Sequence, residues 1–138
     1  MITIKKQEIV KLEDVLHLYQ AVGWTNYTHQ PEMLEQALSH SLAIYVALDG
    51  DAVVGLIRLV GDGFSSVFVQ DLIVLPTYQR QGIGSDLMKE ALGDFKEAYQ
   101  VQLATEQTEK NVGFYRSMGF ETLSTYDCTG MIWVNREK

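Results

Sequence analysis

Residues 69–85 read VQDLIVLPTYQRQGIGS, and the fold prediction starts from this stretch. An apolar run ends at Pro76, two closely spaced glycines follow, and a helical pattern opens at Ser85. The stretch is therefore typical of a strand, a glycine loop and a helix N-terminus in succession. Glycine lets the backbone approach a ligand closely, and the first N–H groups of a helix point outward with partial positive charge. Together they indicate a binding site for a phosphate-bearing ligand.

Composition restricts the class of protein and its partners. The 138 residues are 46% hydrophobic and 21% charged, which is typical of one globular domain, predicted to span residues 1–138. The net charge of −7 argues against a nucleic-acid partner, because such binding depends on cationic contacts to phosphate. No apolar run approaches the ~18 residues of a membrane span, the first residues lack the apolar core of a signal peptide, and Cys128 is the single cysteine. We expect a cytoplasmic protein without disulfides and without membrane or nucleic-acid partners.

Apolar spacing predicts the element order β-α-α-β-β-β-α-β-α-β-β. Helical spacing covers residues 11–22, and Pro31 is placed to begin the second helix. Two apolar runs joined at Asp49-Gly50 predict a β-hairpin, and a third antiparallel strand then runs to Leu75. The first half of the chain is thus predicted to end in a strand that leads directly into the glycine loop.

A crossover follows the glycine loop. The helix predicted from Ser85 to Phe95 separates the motif strand from a predicted strand at residues 101–105, so these two strands should be parallel. Thr108 is predicted to cap a further helix, which Gly119 ends. The segments 120–126 and 131–134 are predicted to close the chain as a β-hairpin.

Two common phosphate-binding motifs do not fit the glycine loop. A Walker A loop requires lysine and then serine or threonine after its last glycine, where this chain has Ser85-Asp86. A dinucleotide fingerprint requires a third glycine, where this chain has Leu87. What remains is a Gln-x-x-Gly-x-Gly pattern at residues 79–84.

In this element order, the Gln-x-x-Gly-x-Gly pattern resembles the pyrophosphate-binding motif of the GNAT superfamily of N-acetyltransferases. Residues 114–120, FYRSMGF, are similar to a second signature of that family, the Tyr-x-x-x-Gly-Phe segment of its fourth helix. The resemblance spans the whole chain. It implies the layered α/β GNAT fold, in which a mixed central sheet has two parallel strands that splay apart to form an acetyl-CoA cleft.

The resemblance also implies how the chain would bind and use acetyl-CoA as co-substrate, without a metal. The loop would hold the pyrophosphate, and the motif strand would hydrogen-bond the pantetheine arm. The implied residues are Gln79, Arg80, Gln81, Gly82, Ile83, Gly84 and Ser85 for the loop, and Leu72, Ile73 and Val74 for the strand. Tyr115 would protonate the departing thiolate, although a half-buried helix aromatic is the structural alternative.

Two carboxylates compete for the role of general base. Asp71 is an acid inside an apolar strand, where burial would raise its pKa toward a useful range; its structural alternative is to cap the amides of a neighbouring loop. Glu106 ends the next strand, in a region where some family members use a glutamate. The helix-start asparagine common in the family corresponds here to Thr108, and Asn111 lies a turn later, so the sequence leaves the choice open.

The acceptor is expected to be a primary amine of a small molecule. Trp24, Tyr27 and Phe68 could line its pocket, while Tyr45 is better explained as core. Residues 56–63 and 69–71 look similar to a bacterial and plant subgroup associated with arylalkylamine acetylation. The alternatives are an enzyme that acetylates a protein or peptide amine, and a non-catalytic acyl-CoA-binding module. Many family members pair through their last strands, which leaves a homodimer open.

Overall fold

The computed structural model describes residues 1–135 and forms two compact units, Met1–Ala104 and a second unit that begins at Thr105. The first unit contains β1 (Ile2–Gln7), α1 (Leu12–Ala21), α2 (Thr25–Thr28), α3 (Pro31–Ser39), β2 (Ala43–Asp49), β3 (Ala52–Gly61), β4 (Ser66–Val74), a 3-10 turn (Pro76–Tyr78), α4 (Ile83–Asp94) and β5 (Gln100–Leu103). The second unit contains α5 (Glu109–Ser117) and a 3-10 turn (Leu123–Tyr126).

The five strands form one mixed sheet in the order β1-β2-β3-β4-β5. Neighbours are antiparallel except β4 and β5, whose parallel pairing confirms the predicted crossover through α4. The β2–β3 hairpin at Asp49-Gly50 is also confirmed, and Gly50 has the positive φ of +62° that favours glycine in such a turn. The sheet and its helices agree with the predicted α/β fold class.

β4 is longer than the strand that pairs with it on one side. The β4–β5 ladder joins Ser66–Val69 to Gln100–Leu103 and then stops. Beyond this ladder, Asp71, Leu72, Ile73 and Val74 continue β4 and pair with β3 alone, on the other side. The pairing of the two parallel strands therefore ends at Val69, and beyond that point no strand of residues 1–135 pairs with the edge of β4 that faces away from β3.

Helices cover both faces of the sheet, because each strand presents apolar side chains on alternate sides. On one face, α1, α2 and α3 pack over a buried cluster that comprises Val15, Leu18, Tyr19, Tyr27, Leu34, Leu38, Ile44, Val46, Leu56 and Ile73. On the other face, α4 buries Ile83, Leu87, Met88 and Ala91. Tyr45 is buried, as expected for a core residue, and its hydroxyl donates to Oδ2 of Asp94 at 2.6 Å.

The helix after the glycine loop begins earlier than predicted. α4 starts at Ile83 instead of Ser85, and the first helical bond is donated by the amide of Asp86 to the carbonyl of Gly82 at 3.0 Å. Gly82 makes this possible because its φ of +80° turns the chain into the helix. The sequence prediction also missed α2. This helix is a single turn of four residues within a polar connector, and so short a segment shows no helical spacing of apolar residues.

The predicted C-terminal hairpin is wrong. In the described part of the second unit, residues 105–135, no strand forms, and Leu123–Tyr126 is a 3-10 turn. Local bonds explain the turn: the amide of Thr125 donates to the carbonyl of Thr122, and the Thr122 hydroxyl lies 3.0 Å from that of Ser124. Such local bonds compete with a strand ladder for the same backbone.

The predicted cap of α5 is confirmed. The Thr108 side chain accepts the amide of Asn111 at 3.1 Å, and Gly119 follows the helix with a φ of +97°. Within residues 1–135, no helix combines the length and apolar character that a membrane span requires.

Candidate active site

The glycine loop leads into the first amides of α4. The amides of Ile83, Gly84 and Ser85 precede the first bond of α4, so the helix itself supplies them with no acceptor. No side chain caps this end of α4. Arg80, just before Gly82, is exposed and holds a left-handed φ of +66°, which is uncommon for a residue other than glycine. This end of α4 therefore has the geometry and the charge of an anion-binding site.

The start of the loop is tied to the sheet. Gln79 donates from Nε2 to the carbonyl of Val74 at 3.1 Å, which closes the loop back onto the end of β4. The hydroxyl of Tyr78 donates to Oδ2 of Asp49, at the β2–β3 turn, at 2.6 Å. The unpaired edge of β4 at Leu72–Val74 thus runs directly into a loop whose entry is held in place.

Asp71 lies in a closed polar cluster between the sheet and α1 and α2. Its side chain is 2% exposed, and Arg58 of β3 donates to its Oδ2 from Nε at 2.7 Å. Tyr19 donates to the same oxygen at 2.8 Å, and Tyr27 donates to Oδ1 at 3.0 Å. Both carboxylate oxygens therefore accept hydrogen bonds. Within the described residues, these bonds come from side chains, and not from the amides of a neighbouring loop that Asp71 could have capped.

The remaining polar atoms of this cluster are also paired. Arg58 is 4% exposed and donates from Nη1 to the hydroxyl of Ser41 at 3.2 Å and from Nη2 to that of Tyr27 at 3.2 Å. Burial first, and then the charge of Asp71, raise the pKa of Tyr19 and of Tyr27. Both phenols consequently stay protonated at neutral pH, as their role as donors to Asp71 requires.

The predicted acceptor aromatics are only partly brought together. The rings of Trp24 and Tyr27 lie 6.3 Å apart, and both contact Tyr19, at 6.1 and 5.1 Å. Tyr27 is buried in the core, whereas Trp24 is half-buried at its margin. Phe68 is half-buried on β4, and no ring contact in the described chain includes it.

Tyr115 lies in the second unit, on α5. It is half-buried, with its ring 5.0 Å from that of Phe114 and 6.1 Å from that of Phe120, both edge-on. Burial raises its pKa, and a hydrogen bond with Thr105 partly opposes this effect. A phenol that stays protonated at neutral pH can serve as a proton donor.

Glu106 is exposed at the approach to the same helix. Its carbonyl accepts the amide of Thr108 at 2.9 Å and lies 3.5 Å from Nδ2 of Asn111. Asn111 thus helps to close the turn before α5. The carboxylate of Glu106 faces solvent, in contrast to that of Asp71.

Sequence reasoning missed Tyr19 and Arg58, the two partners that bind the same oxygen of Asp71. One signal could have found Arg58, since it and Asp71 are single charges in two adjacent apolar strands, and their Cα atoms are direct partners across the β3–β4 ladder. Opposite charges at such a cross-strand position attract. Tyr19 had no comparable signal, because its partner is 52 residues away along the chain.

A cleft of about 550 Å³ lies elsewhere in the first unit, lined by Gln7, Glu13, Asp14, His17, Asp51 and Val53 among others. None of the predicted site residues lines it. Within the described chain, no group of three or more histidine, cysteine or carboxylate side chains is arranged to hold a metal ion.

Comparison with known proteins gives a consistent result. The model of a family described as "Acetyltransferase (GNAT) domain" matches residues 40–122, more than half of the chain. A solved GNAT-family acetyltransferase of Streptococcus pneumoniae is 90% identical, with a TM-score of 0.91 and 99% coverage of both chains.

More distant proteins agree at the level of fold and family. Serotonin N-acetyltransferase 2, a chloroplast protein of rice, is 30% identical over 66% of this chain and 48% of its own length. The PaiA N-acetyltransferase of Thermoplasma acidophilum, solved with coenzyme A, is 18% identical, with a TM-score of 0.67 over 86% of this chain and 90% of that one; this likeness shows the fold alone. The chain spans 48% to 66% of the length of the curated relatives it matches.

We predict that Arg58→Met lowers the free energy of unfolding by about 3–5 kcal/mol, because it leaves the Asp71 carboxylate buried and unpaired. Urea unfolding followed by circular dichroism measures the change. The double variant Arg58→Met/Asp71→Leu should be more stable than Arg58→Met alone, since no unpaired charge remains.

The matched control for this prediction is Arg116→Met. Arg116 also donates from Nε to a carboxylate, Oε1 of Glu121 at 3.0 Å, but both side chains are about half-exposed. Arg116→Met should lower the free energy of unfolding by less than about 1 kcal/mol. Equal decreases for the two variants would show that the Asp71 cluster does not contribute specially to the stability of the fold.

Proposed function

The chain belongs to the GNAT family of acetyltransferases, and on that premise we propose that it transfers the acetyl group of acetyl-CoA to a primary amine of a small molecule. Residues 1–138 would act as a single N-acetyltransferase domain in the cytoplasm. The observation that carries the proposal is the continuity between the unpaired edge of β4 and the amides that begin α4, because these two features match two adjacent parts of coenzyme A, the pantetheine arm and the pyrophosphate.

The donor would bind along this continuous surface. Leu72, Ile73 and Val74 lie on the stretch of β4 that has no β5 partner, so their main chain is available to a pantetheine arm on that side. The loop of residues 79–85 then supplies helix amides and the exposed cation of Arg80 to the pyrophosphate. The coenzyme A complex of the PaiA enzyme, which shares the fold, is in line with this assignment.

The chemistry would be direct transfer through a tetrahedral intermediate. The amine nitrogen forms a bond to the thioester carbonyl carbon, and the carbon–sulfur bond then breaks. Tyr115 gives its proton to the departing thiolate, a role that agrees with the effect of burial on its pKa. The amine proton leaves to a general base.

Asp71 is 2% exposed and already accepts three hydrogen bonds, so we propose that the proton reaches it through Tyr27. Tyr27 donates to Oδ1 of Asp71, and its hydroxyl also accepts a bond from Gln70 that is long, at 3.4 Å. An amine that displaced Gln70 would pass its proton to the Tyr27 oxygen while Tyr27 passed its own proton to Asp71. Glu106 is the rival base, since it is exposed and needs no relay.

The proposed acceptor is an arylalkylamine. Trp24 and Tyr27 form one aromatic surface next to the Asp71 cluster, and Phe68 on β4 would add a third ring. The match to a plant protein named for serotonin acetylation points to the same class of amine. The net charge of −7 also favours cationic acceptors over anionic ones. We further propose that the protein pairs with a second copy of itself.

The decisive experiment for this function is release of free coenzyme A from acetyl-CoA in the presence of a panel of amines. We expect an arylalkylamine such as tryptamine or serotonin to give a higher kcat/KM than polyamines, aminoglycosides, amino acids or lysine peptides. A higher kcat/KM for peptides would contradict the small-molecule acceptor and indicate that the enzyme acetylates a protein or peptide amine. Binding of coenzyme A by calorimetry without thiol release from any amine would instead indicate a non-catalytic module.

We predict that Tyr115→Phe lowers kcat by about 10²-fold or more, because general acid catalysis typically contributes 10²–10⁴-fold. Binding of coenzyme A, measured by calorimetry, should change little. Tyr126→Phe is the matched control, since Tyr126 is 70% exposed in the same unit. Turnover close to wild type in Tyr115→Phe would remove Tyr115 from the mechanism.

The choice of base can be tested with two changes, each of which removes one polar group. If Asp71 acts through Tyr27, then Tyr27→Phe should lower kcat by at least about 10-fold, and Glu106→Gln should leave kcat and its pH profile unchanged. Unfolding measurements in parallel separate lost catalysis from lost stability. The reverse pattern, with the acidic limb of the pH profile lost in Glu106→Gln, would assign the base to Glu106.

A further inference from the structure

Gln70 is the one residue of β4 that has no partner residue in either neighbouring strand of the described chain. Asp71 and Val69 pair with adjacent residues of β3, so the register skips Gln70 between them. On the other side, the ladder to β5 ends at Val69. An extra residue of this kind forms a β-bulge, which bends the strand and redirects a side chain. The direction of the Gln70 side chain is therefore set by the bulge.

The Gln70 side chain reaches the buried cluster around Asp71. Gln70 is exposed, and its Nε2 donates to the hydroxyl oxygen of Tyr27 at 3.4 Å. The same oxygen accepts from Nη2 of Arg58 at 3.2 Å, and the hydroxyl donates to Oδ1 of Asp71 at 3.0 Å. A hydroxyl has one proton and two acceptor lone pairs. Tyr27 thus uses its full capacity, and the bond from Gln70 is the longest of the three.

These bonds fix which end of the Gln70 amide faces outward. The carboxylate of Asp71 can only accept, so it takes the hydroxyl proton of Tyr27. A Gln70 carbonyl turned toward Tyr27 would meet an oxygen with no proton left to donate. The amide therefore presents its NH₂ group to Tyr27 and its Oε1 away from the cluster. Among the described residues, no group donates a hydrogen bond to this Oε1.

Gln70 lies between the regions proposed for the two substrates. It immediately precedes the unpaired edge of β4 at residues 71–74. If residues 79–85 hold the pyrophosphate and the pantetheine arm runs back along Leu72–Val74, the thioester end points toward Gln70. Tyr27, which Gln70 contacts, packs with Trp24 in the aromatic surface proposed for the acceptor. An exposed acceptor oxygen on Gln70 is therefore well placed for the acceptor nitrogen.

Building on the proposed transfer to a small primary amine, we propose that Gln70 binds the acceptor, with its Oε1 accepting one N–H of the amine. A second N–H takes the place of Gln70 Nε2 on the Tyr27 oxygen, because the 3.4 Å bond is the weakest one there. The displaced NH₂ group is exposed and bonds to water. An ammonium has three N–H donors, so it can satisfy both acceptors at once.

A neutral amide suits this role better than a charged group. It accepts an N–H without removing the proton, so the amine that loses one proton to Tyr27 keeps its lone pair free for the thioester carbon. The two acceptors also select for primary amines. A tertiary ammonium has a single N–H and would leave one acceptor unsatisfied, which a site built from hydrogen-bonding groups penalises.

The first test is calorimetric titration of phenethylamine into the protein saturated with coenzyme A. We expect Gln70→Met to bind the amine at least about 10-fold more weakly than wild type, because it removes a hydrogen bond to a charged group. Gln70→Glu keeps an acceptor oxygen but loses the donor to Tyr27, and it should bind at least as tightly as wild type. Equal weakening in both variants would show that Gln70 only steadies Tyr27, and unchanged affinity in Gln70→Met would also overturn the proposal.

The second test compares phenethylamine with N,N-dimethylphenethylamine. We expect wild type to prefer the primary amine and Gln70→Met to lose most of this preference, since only one acceptor then remains. A preference that survives in full in Gln70→Met would contradict the contact. Gln30→Met is the matched control, because the Gln30 side chain also donates one hydrogen bond, to the carbonyl of Asn26 at 3.1 Å. Gln30→Met should bind both amines as wild type does.

These titrations separate the Gln70 contact from the proposed transfer. If wild type binds phenethylamine but releases no coenzyme A from acetyl-CoA with it or with any other amine, the transfer fails, and the affinities of the Gln70 variants still decide the contact. If wild type binds neither phenethylamine nor any amine of the panel, the contact and the proposed acceptor are both wrong.

Discussion

The ion pair between Arg58 and Asp71 holds together the part of the molecule on which the candidate site depends. It joins β3 to β4 at the position where their register shifts, and it is almost completely removed from water. Burying two charges is costly unless every remaining polar atom finds a partner. Here the partners are hydroxyls from α1, α2 and the α3–β2 connection, so the pair fixes three further segments on the sheet.

This constraint places the aromatic residues as well as the charges. Because the hydroxyls of Tyr19 and Tyr27 are bound to Asp71, their rings are held edge-on to each other at 5.1 Å, and Trp24 packs beside both. An apolar pair at the positions of Arg58 and Asp71 would not orient these rings. Burying the two charges costs free energy, but their hydrogen bonds fix the orientation of the aromatic rings beside β4. This is the strand that leads to the glycine loop.

The unpaired edge of β4 follows from a difference in strand length. β4 has nine residues and β5 has four, so the parallel ladder ends before β4 does. The same strand then passes through a proline turn into a helix whose first amides are free of helical bonds. The unpaired edge of β4 and the candidate anion-binding site at the start of α4 therefore follow each other along one continuous stretch of backbone.

Most of the first unit could be predicted because its signals are local. Apolar spacing predicted α1, Pro31 marked α3, Asp49-Gly50 marked the hairpin, and the crossover implied the parallel pair. The site partners could not be predicted in the same way, because Tyr19 and Arg58 meet Asp71 only after the sheet and helices have packed. The start of α4 was misplaced because a pattern of side chains does not reveal that Gly82 would adopt a left-handed conformation.

The two halves of the wrongly predicted hairpin failed for different reasons. Residues 120–126 contain hydroxyl side chains that bond to one another, so a local turn outcompetes a ladder there. Residues 131–134 have no such competitor among the described bonds. A strand is stable only when another strand accepts its backbone bonds and covers its side chains, so sequence preference alone could not produce one. The strand preference of this segment is therefore not sufficient on its own, because no strand of the described chain pairs with it.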